Sequence, residues 1–141
     1  MTLALADNVI QDRLQALTRA IDAGAGAGLL KIYDGTRPTT KGAAITTQQL
    51  LVTQPFADPS AGSISGTTLT LALGASVLGS KTGQAKWARI VDSAGTFVAD
   101  MDVVQTSGGP GEVLLTTTSG QTTQIYEGGV VAVSVATLVE A

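Results

Sequence analysis

The spacing of apolar residues changes period once along this chain, and that change limits the folds open to it. Ile10, Leu14, Leu17 and Ile21 recur at i, i+4, i+7 and i+11, which is one stripe of an α-helix. Asp7 or Asn8 suits the N-cap, because a short side-chain oxygen accepts from the free N–H groups of a first turn. The helix is expected over 5–23, ended by Gly24, with the run Gly24-Ala-Gly-Ala-Gly28 as a hinge. Past that hinge the period becomes 2, the mark of strands with one face inward. A lone helix ahead of such a series has to pack across an open face or end of the sheet they form.

Seven strands are expected, over 29–33, 48–54, 68–73, 86–91, 96–104, 112–117 and 130–139. Pro55 should stop the second, since proline cannot donate to a ladder. Residues 34–47, 57–67 and 118–127 read as loops rich in Thr, Gly, Ser or Gln. The clearest local unit is a hairpin around Asp92-Ser-Ala-Gly95, whose glycine suits the positive-φ end of a type I turn. Trp87 and Phe97 flank it and are expected near the core. The fold class is thus mainly β: an N-terminal amphipathic helix followed by an antiparallel β-sandwich or partly open barrel of about seven strands.

Length and composition point the same way. At 141 residues the chain is the size of one domain, 1–141, divided into an arm and helix (1–24) and a β-domain (29–141). Charged residues make up only 13%, while 17 glycines and 20 threonines supply turn and strand formers. The chain has neither His nor Cys, which removes Ser-His-Asp and Cys-His nucleophiles, zinc fingers, iron–sulfur ligation and disulfides. A net charge of −3 with eight basic residues argues against a phosphate-tracking surface, so no nucleic-acid partner is expected. The start lacks the basic region of a signal peptide, and the longest apolar run, 130–139, is about half a membrane span. No membrane partner and no cofactor are expected, and synthesis is expected in a cytoplasm.

The motifs that could carry chemistry have plainer readings. Gly24-Ala-Gly-Ala-Gly28 follows a helix and opens a strand, the reverse of a dinucleotide-binding loop. In Gly74-Ala-Ser-Val-Leu-Gly79-Ser-Lys-Thr82, Ser80 separates the glycine and lysine that a P-loop needs in succession. Asp100 and Asp102 leave one face of a strand and could form a catalytic or metal-binding carboxylate pair. A solvated polar face opposite Met101 and Val103 accounts for them as well, and Asp100→Asn should then change nothing measurable. Lys81, Lys86 and Arg89, with Lys31 and Arg37, read as scattered salt-bridge partners.

Two strings go further. Leu30-Lys-Ile-Tyr-Asp-Gly-Thr-Arg-Pro38, following a helix and a Gly/Ala hinge, and Trp87-Ala-Arg-Ile-Val-Asp-Ser-Ala-Gly-Thr-Phe-Val-Ala-Asp100 resemble a group of small virion structural proteins of tailed bacteriophages and prophages. The resemblance runs through nearly the whole chain in the same order. It implies a role similar to capsid decoration (cement, or minor capsid) proteins, with no enzymatic activity. The implied partners are the major capsid protein and further copies of the chain as a homotrimer, on the outer surface of the virion shell. Contact residues under this reading are Thr2, Leu3, Ala4 and Leu5 of the arm, and Ile10, Leu14, Leu17 and Ile21 of the stripe where core packing does not claim them. Deleting 2–6 should then weaken attachment more than it lowers the melting temperature. A tail, connector or baseplate component is the nearest rival, and a host-surface or carbohydrate-binding module the next.

Overall fold

The computed structural model describes residues 4–104, 112–116 and 123–139. Among these residues are one helix, α1 (Asp7–Ile21), and ten strands: β1 (Leu29–Tyr33), β2 (Leu50–Ser65), β3 (Thr68–Leu73), β4 (Val77–Leu78), β5 (Gly83–Gln84), β6 (Trp87–Val91), β7 (Phe97–Val104), β8 (Glu112–Thr116), β9 (Gln124–Ile125) and β10 (Val130–Val139). The mainly β class with an N-terminal helix is the one the sequence implies. The three extra strands, β4, β5 and β9, are two-residue pieces outside the seven expected ranges.

The sheet order is β3-β2-β1-β6-β7-β8-β10-β4, and β10 also pairs with β3. Val130 and Val131 lie against Leu78 and Val77, while Thr137 to Val139 lie against Thr70 to Thr68. β3 and β4 thus run in succession along one edge of β10, and β8 occupies the other. The curled sheet returns to its own edge in this way, which leaves little unpaired backbone at that seam. All pairs are antiparallel except β7–β8, which is parallel, with Asp102 opposite Glu112.

The helix begins one or two positions earlier than the capping argument implies. Ala6 is the N-cap with no side-chain cap, and its carbonyl accepts from the N–H groups of Val9 and Ile10. Asp7 instead sits in the first turn, where its charge meets the positive end of the helix dipole. Ile10, Leu14 and Ile21 are buried and Leu17 is partly buried, all in the core that fills the concave side of the sheet. That core also holds Leu30, Ile32, Leu51, Phe56, Leu69, Ile90 and Met101.

Pro55 does not stop β2. It lies opposite Leu29, at the end of β1, where its missing N–H breaks no long ladder. Phe56 N–H then donates to Gly28, and β2 continues against β3 through two register shifts. The strand thereby passes from one neighbour to the other and bends the sheet. The bend is tied to the helix, because Asp22 accepts the Ser60 N–H on both carboxylate oxygens at 3.1 Å. It is tied to the next turn by the buried Gln54 side chain, which donates to Pro55, Gly74 and Ala75 carbonyls.

The glycine hinge is a packing device. At Gly28 a Cβ would overlap the Ile21 side chain and come within 2.8 Å of the Ile21 carbonyl oxygen. At Gly26 the nearest atom to an added Cβ is Ser93 Cβ at 3.9 Å, an ordinary contact. Gly28→Ala is therefore expected to cost about 1–3 kcal/mol in chemical denaturation, as overpacking does. Gly26→Ala should stay within about 0.5 kcal/mol of the parent or gain slightly from reduced unfolded-state freedom.

Candidate functional site

β6 is buried at all five positions, so both of its faces are covered. Ala88 and Ile90 point into the core, while Trp87 and Arg89 point to the convex side. There a second layer forms, outside the main core. Trp87 is 1% exposed and stacks on its register partner Tyr33, with ring centroids 4.7 Å apart and planes 15° from parallel. Phe97, expected in the core, is partly buried and belongs to this outer layer.

Arg89 is the centre of that layer. Its Nε and Nη2 donate to the two Asp100 carboxylate oxygens at 2.8 and 3.0 Å, and Nη1 donates to the Ala43 carbonyl at 2.8 Å. The guanidinium carbon lies 5.4 Å from the Trp87 ring centroid and 5.1 Å from that of Phe97, within cation–π range of both. The Arg89 and Asp100 side chains are only 10% and 8% exposed. The charged hydrogen bond that Arg89 donates to Asp100 raises its already high pKa, so the cation is permanent.

The roof over these groups is the segment 34–49, of which the sequence marks 34–47 as a loop. Trp87 Nε1 donates to the Asp34 carbonyl at 3.1 Å, and Asp34 Oδ1 accepts from Gln49 N–H at 2.6 Å. Gln48 donates to the Thr36 carbonyl. Gly42, with φ of 72°, lies flat against the Phe97 ring, so a side chain there would meet both a strained backbone and the ring. Arg37 closes the roof with an ion pair to Asp102 at 3.3 Å, in which both side chains are about half exposed. Beside it an open groove of about 630 Å³ runs between residues 37–41 and residues 97–100.

Asp100 and Asp102 thus do share a strand face, and Met101 and Val103 are buried opposite them. The solvated-face expectation is corrected for Asp100, because the roof covers it and a guanidinium grips it. The pair is split between two arginines, which sequence spacing alone did not reveal. Of the scattered cations, Arg89 and Arg37 are the two in ion pairs with these carboxylates. No group of three or more metal-ligating side chains occurs among the described residues.

The P-loop-like string has other uses for its backbone. Gly79 N–H donates to Gly129, and Ser80 and Lys81 N–H groups donate to Leu51, so no phosphate cradle is free there. The predicted contact residues divide. Thr2 and Leu3 lie outside the described residues, Ala4 is exposed, and Leu5 packs partly on the core. The helix stripe is spent on the chain's own core, which leaves it little surface for a partner. Deleting 2–6 also reaches the Leu5 contact and the Ala6 carbonyl, so it lowers stability as well as removing the arm. No protein-family model, curated protein or solved structure matches the chain.

Two predictions follow from the outer layer. Asp100→Asn leaves a buried guanidinium without its counter-charge, and urea denaturation should record a loss of about 3–5 kcal/mol. Asp102→Asn breaks an exposed pair and should cost less than about 1 kcal/mol. Burial raises the Tyr33 pKa above its ordinary 10.0, with Arg89 opposing and Asp100 reinforcing the shift. A raised folded-state pKa means that the unfolded chain ionises first. Its contribution is complete below pH 10.0 and is lost as pH rises through the folded value. Relative to Tyr33→Phe, the parent should therefore lose stability as pH rises above about 10, followed by melting temperature.

Proposed function

We propose that this protein is a non-enzymatic capsid decoration protein of a tailed bacteriophage, which binds the outer surface of the major capsid shell and stabilises it. The observation that carries the reading is that the two strings bearing the resemblance interlock. Residues 30–38 and 87–100 supply both rings of the Tyr33–Trp87 stack, the Trp87–Asp34 hydrogen bond and the Arg89–Asp100 pair. The two strings thus form one structural unit in this chain, which supports the reading. The one carboxylate pair that suggested catalysis is engaged by Arg89 and Arg37, which supports a structural role.

The mechanism is linkage. A protein that binds the assembled shell and not its dissociated subunits shifts the equilibrium toward assembly by RT ln(1 + [L]/Kd). As a homotrimer it would apply three copies of one small contact at once, so individually weak contacts sum through avidity. A buried, hydrogen-bonded outer layer suits a domain that must keep its shape in a particle.

The test is co-sedimentation of the purified protein with expanded, undecorated capsids, with bound copies counted per shell. Saturation at a number set by the shell's local symmetry axes is expected. Absence of binding, with the protein recovered in isolated tails, would move it to the tail.

A further inference from the structure

The groove of about 630 Å³ between residues 37–41 and residues 97–100 has two unlike sides. Phe97, Val98 and Ala99 of β7 make one side largely apolar. Arg37 and Lys41, both exposed, belong to the other. An apolar concavity with a few charged groups at fixed places is the common form of a small-molecule site, and the volume lies in the range of such sites. The cation-bearing side is held in place by the rest of the fold. Arg89 Nη1 donates to the Ala43 carbonyl at 2.8 Å, and Gly42 lies against the Phe97 ring. Ala43 N–H donates to the Thr40 carbonyl at 3.1 Å, closing a turn with Lys41 and Gly42 at its centre. Gly42 takes φ of 72° at the third position of that turn, as a type II turn requires. A wall fixed in advance lowers the ordering cost that a ligand would otherwise meet.

The charges around the groove do not cancel. Asp100 is occupied by two hydrogen bonds from Arg89, and Asp102 meets Arg37 through one exposed contact at 3.3 Å. Asp34, on the same loop, is turned elsewhere: Oδ1 accepts from Gln49 N–H and Oδ2 lies toward Gly83. Lys41 makes no ion pair among the described residues. The Arg37 guanidinium has five N–H donors, most of which its single contact leaves for another acceptor. Among the described side chains here, three cations (Arg37, Lys41 and Arg89) stand against two carboxylates (Asp100 and Asp102). The groove is thus locally positive on a chain whose net charge is −3.

We propose that this groove is a binding site for a small organic carboxylate with an apolar body. The body lies along Phe97, Val98 and Ala99, and the carboxylate is taken by Arg37 and Lys41. The planar fork of an arginine matches the two oxygens of a carboxylate, and a lysine adds a point charge on a flexible stem. A cation of the same shape would meet like charge, and a neutral analogue would leave both cations without a counter-charge. This inference goes beyond the particle role and does not depend on it, because every residue it uses lies within a single copy of the chain.

Three probes that share a phenyl-terminated chain test it against the full-length ¹⁵N-labelled protein: phenylpropanoate, the neutral phenylpropanamide and the cationic phenylpropylamine. Phenylpropanoate should shift the amides of Arg37, Thr39, Lys41 and 97–100 saturably. Phenylpropanamide should bind about threefold or more weakly, and phenylpropylamine should leave those amides unmoved. Lys41→Glu should weaken phenylpropanoate binding by about three- to tenfold with the melting temperature unchanged, since the side chain is exposed. Lys81→Glu makes the same change of charge at an exposed site outside the groove lining, and should leave the affinity within about twofold. In Arg37→Gln/Lys41→Gln the acid and the amide should bind alike. No saturable shift at millimolar phenylpropanoate, equal binding of acid and amide by the parent, or equal losses in Lys41→Glu and Lys81→Glu would each overturn the proposal. Failure of the capsid experiment would leave these outcomes untouched.

Discussion

A guanidinium buried against a sheet face sets the terms for everything on the convex side of this molecule. Arg89 cannot lose its proton, so its charge must be met where it lies. Asp100 meets it with two hydrogen bonds, Ala43 takes a third, and the rings of Trp87 and Phe97 flank it. Those partners come from β6, β7 and the 34–49 roof, so the requirement of one side chain fixes three segments together. The roof in turn keeps water from the ion pair, which strengthens it. Removing the roof would expose the pair, and removing the pair would leave the roof without its central hydrogen bond.

The result is a sheet with apolar or paired surface on both sides. The concave side is filled by aliphatic side chains and the helix stripe, while the convex side over β1, β6 and β7 holds aromatic rings and a buried ion pair. This division accounts for how few charges the chain carries. Four of its charged groups, Arg37, Arg89, Asp100 and Asp102, serve the outer layer alone.

Local rules made much of this legible beforehand. The helix stripe, the glycine hinge, β1, β3, β10 and the turn at 92–95 follow from spacing and turn chemistry alone. At that turn Asp92 Oδ1 accepts from Ala94 and Thr96 N–H groups and Gly95 takes φ of 90°, as a type I turn closed by glycine requires. What sequence reading missed is tertiary. Proline stops a strand only where its neighbour needs the absent N–H, and at Pro55 the neighbour is ending. The two-residue strands are too short to show a period. The parallel register of β8 on β7 leaves no mark in alternation. The Arg89–Asp100 pairing was hidden for a different reason: i, i+2 spacing gives the face of a carboxylate but not what crosses from the next strand.

An alternating Arg-x-Val run opposite an Asp-x-Asp run across a glycine turn is the one signal that could have found it. Hairpin register follows from the turn, and the Arg89–Asp100 pairing lies a fixed count from Gly95 once one bulge residue, Val98 on β7, is allowed opposite Ile90 and Val91. That bulge sits where β7 leaves the 92–95 turn, and such bulges disrupt the ladder locally and re-aim side chains. Phe97 and Val98 are thereby set at the mouth of the groove, beside the roof that Arg89 holds down. The interaction that stabilises the convex layer also holds the segment carrying Arg37 and Lys41 across the groove from residues 97–100. Stability and the shape of the groove thus arise here from the same few residues.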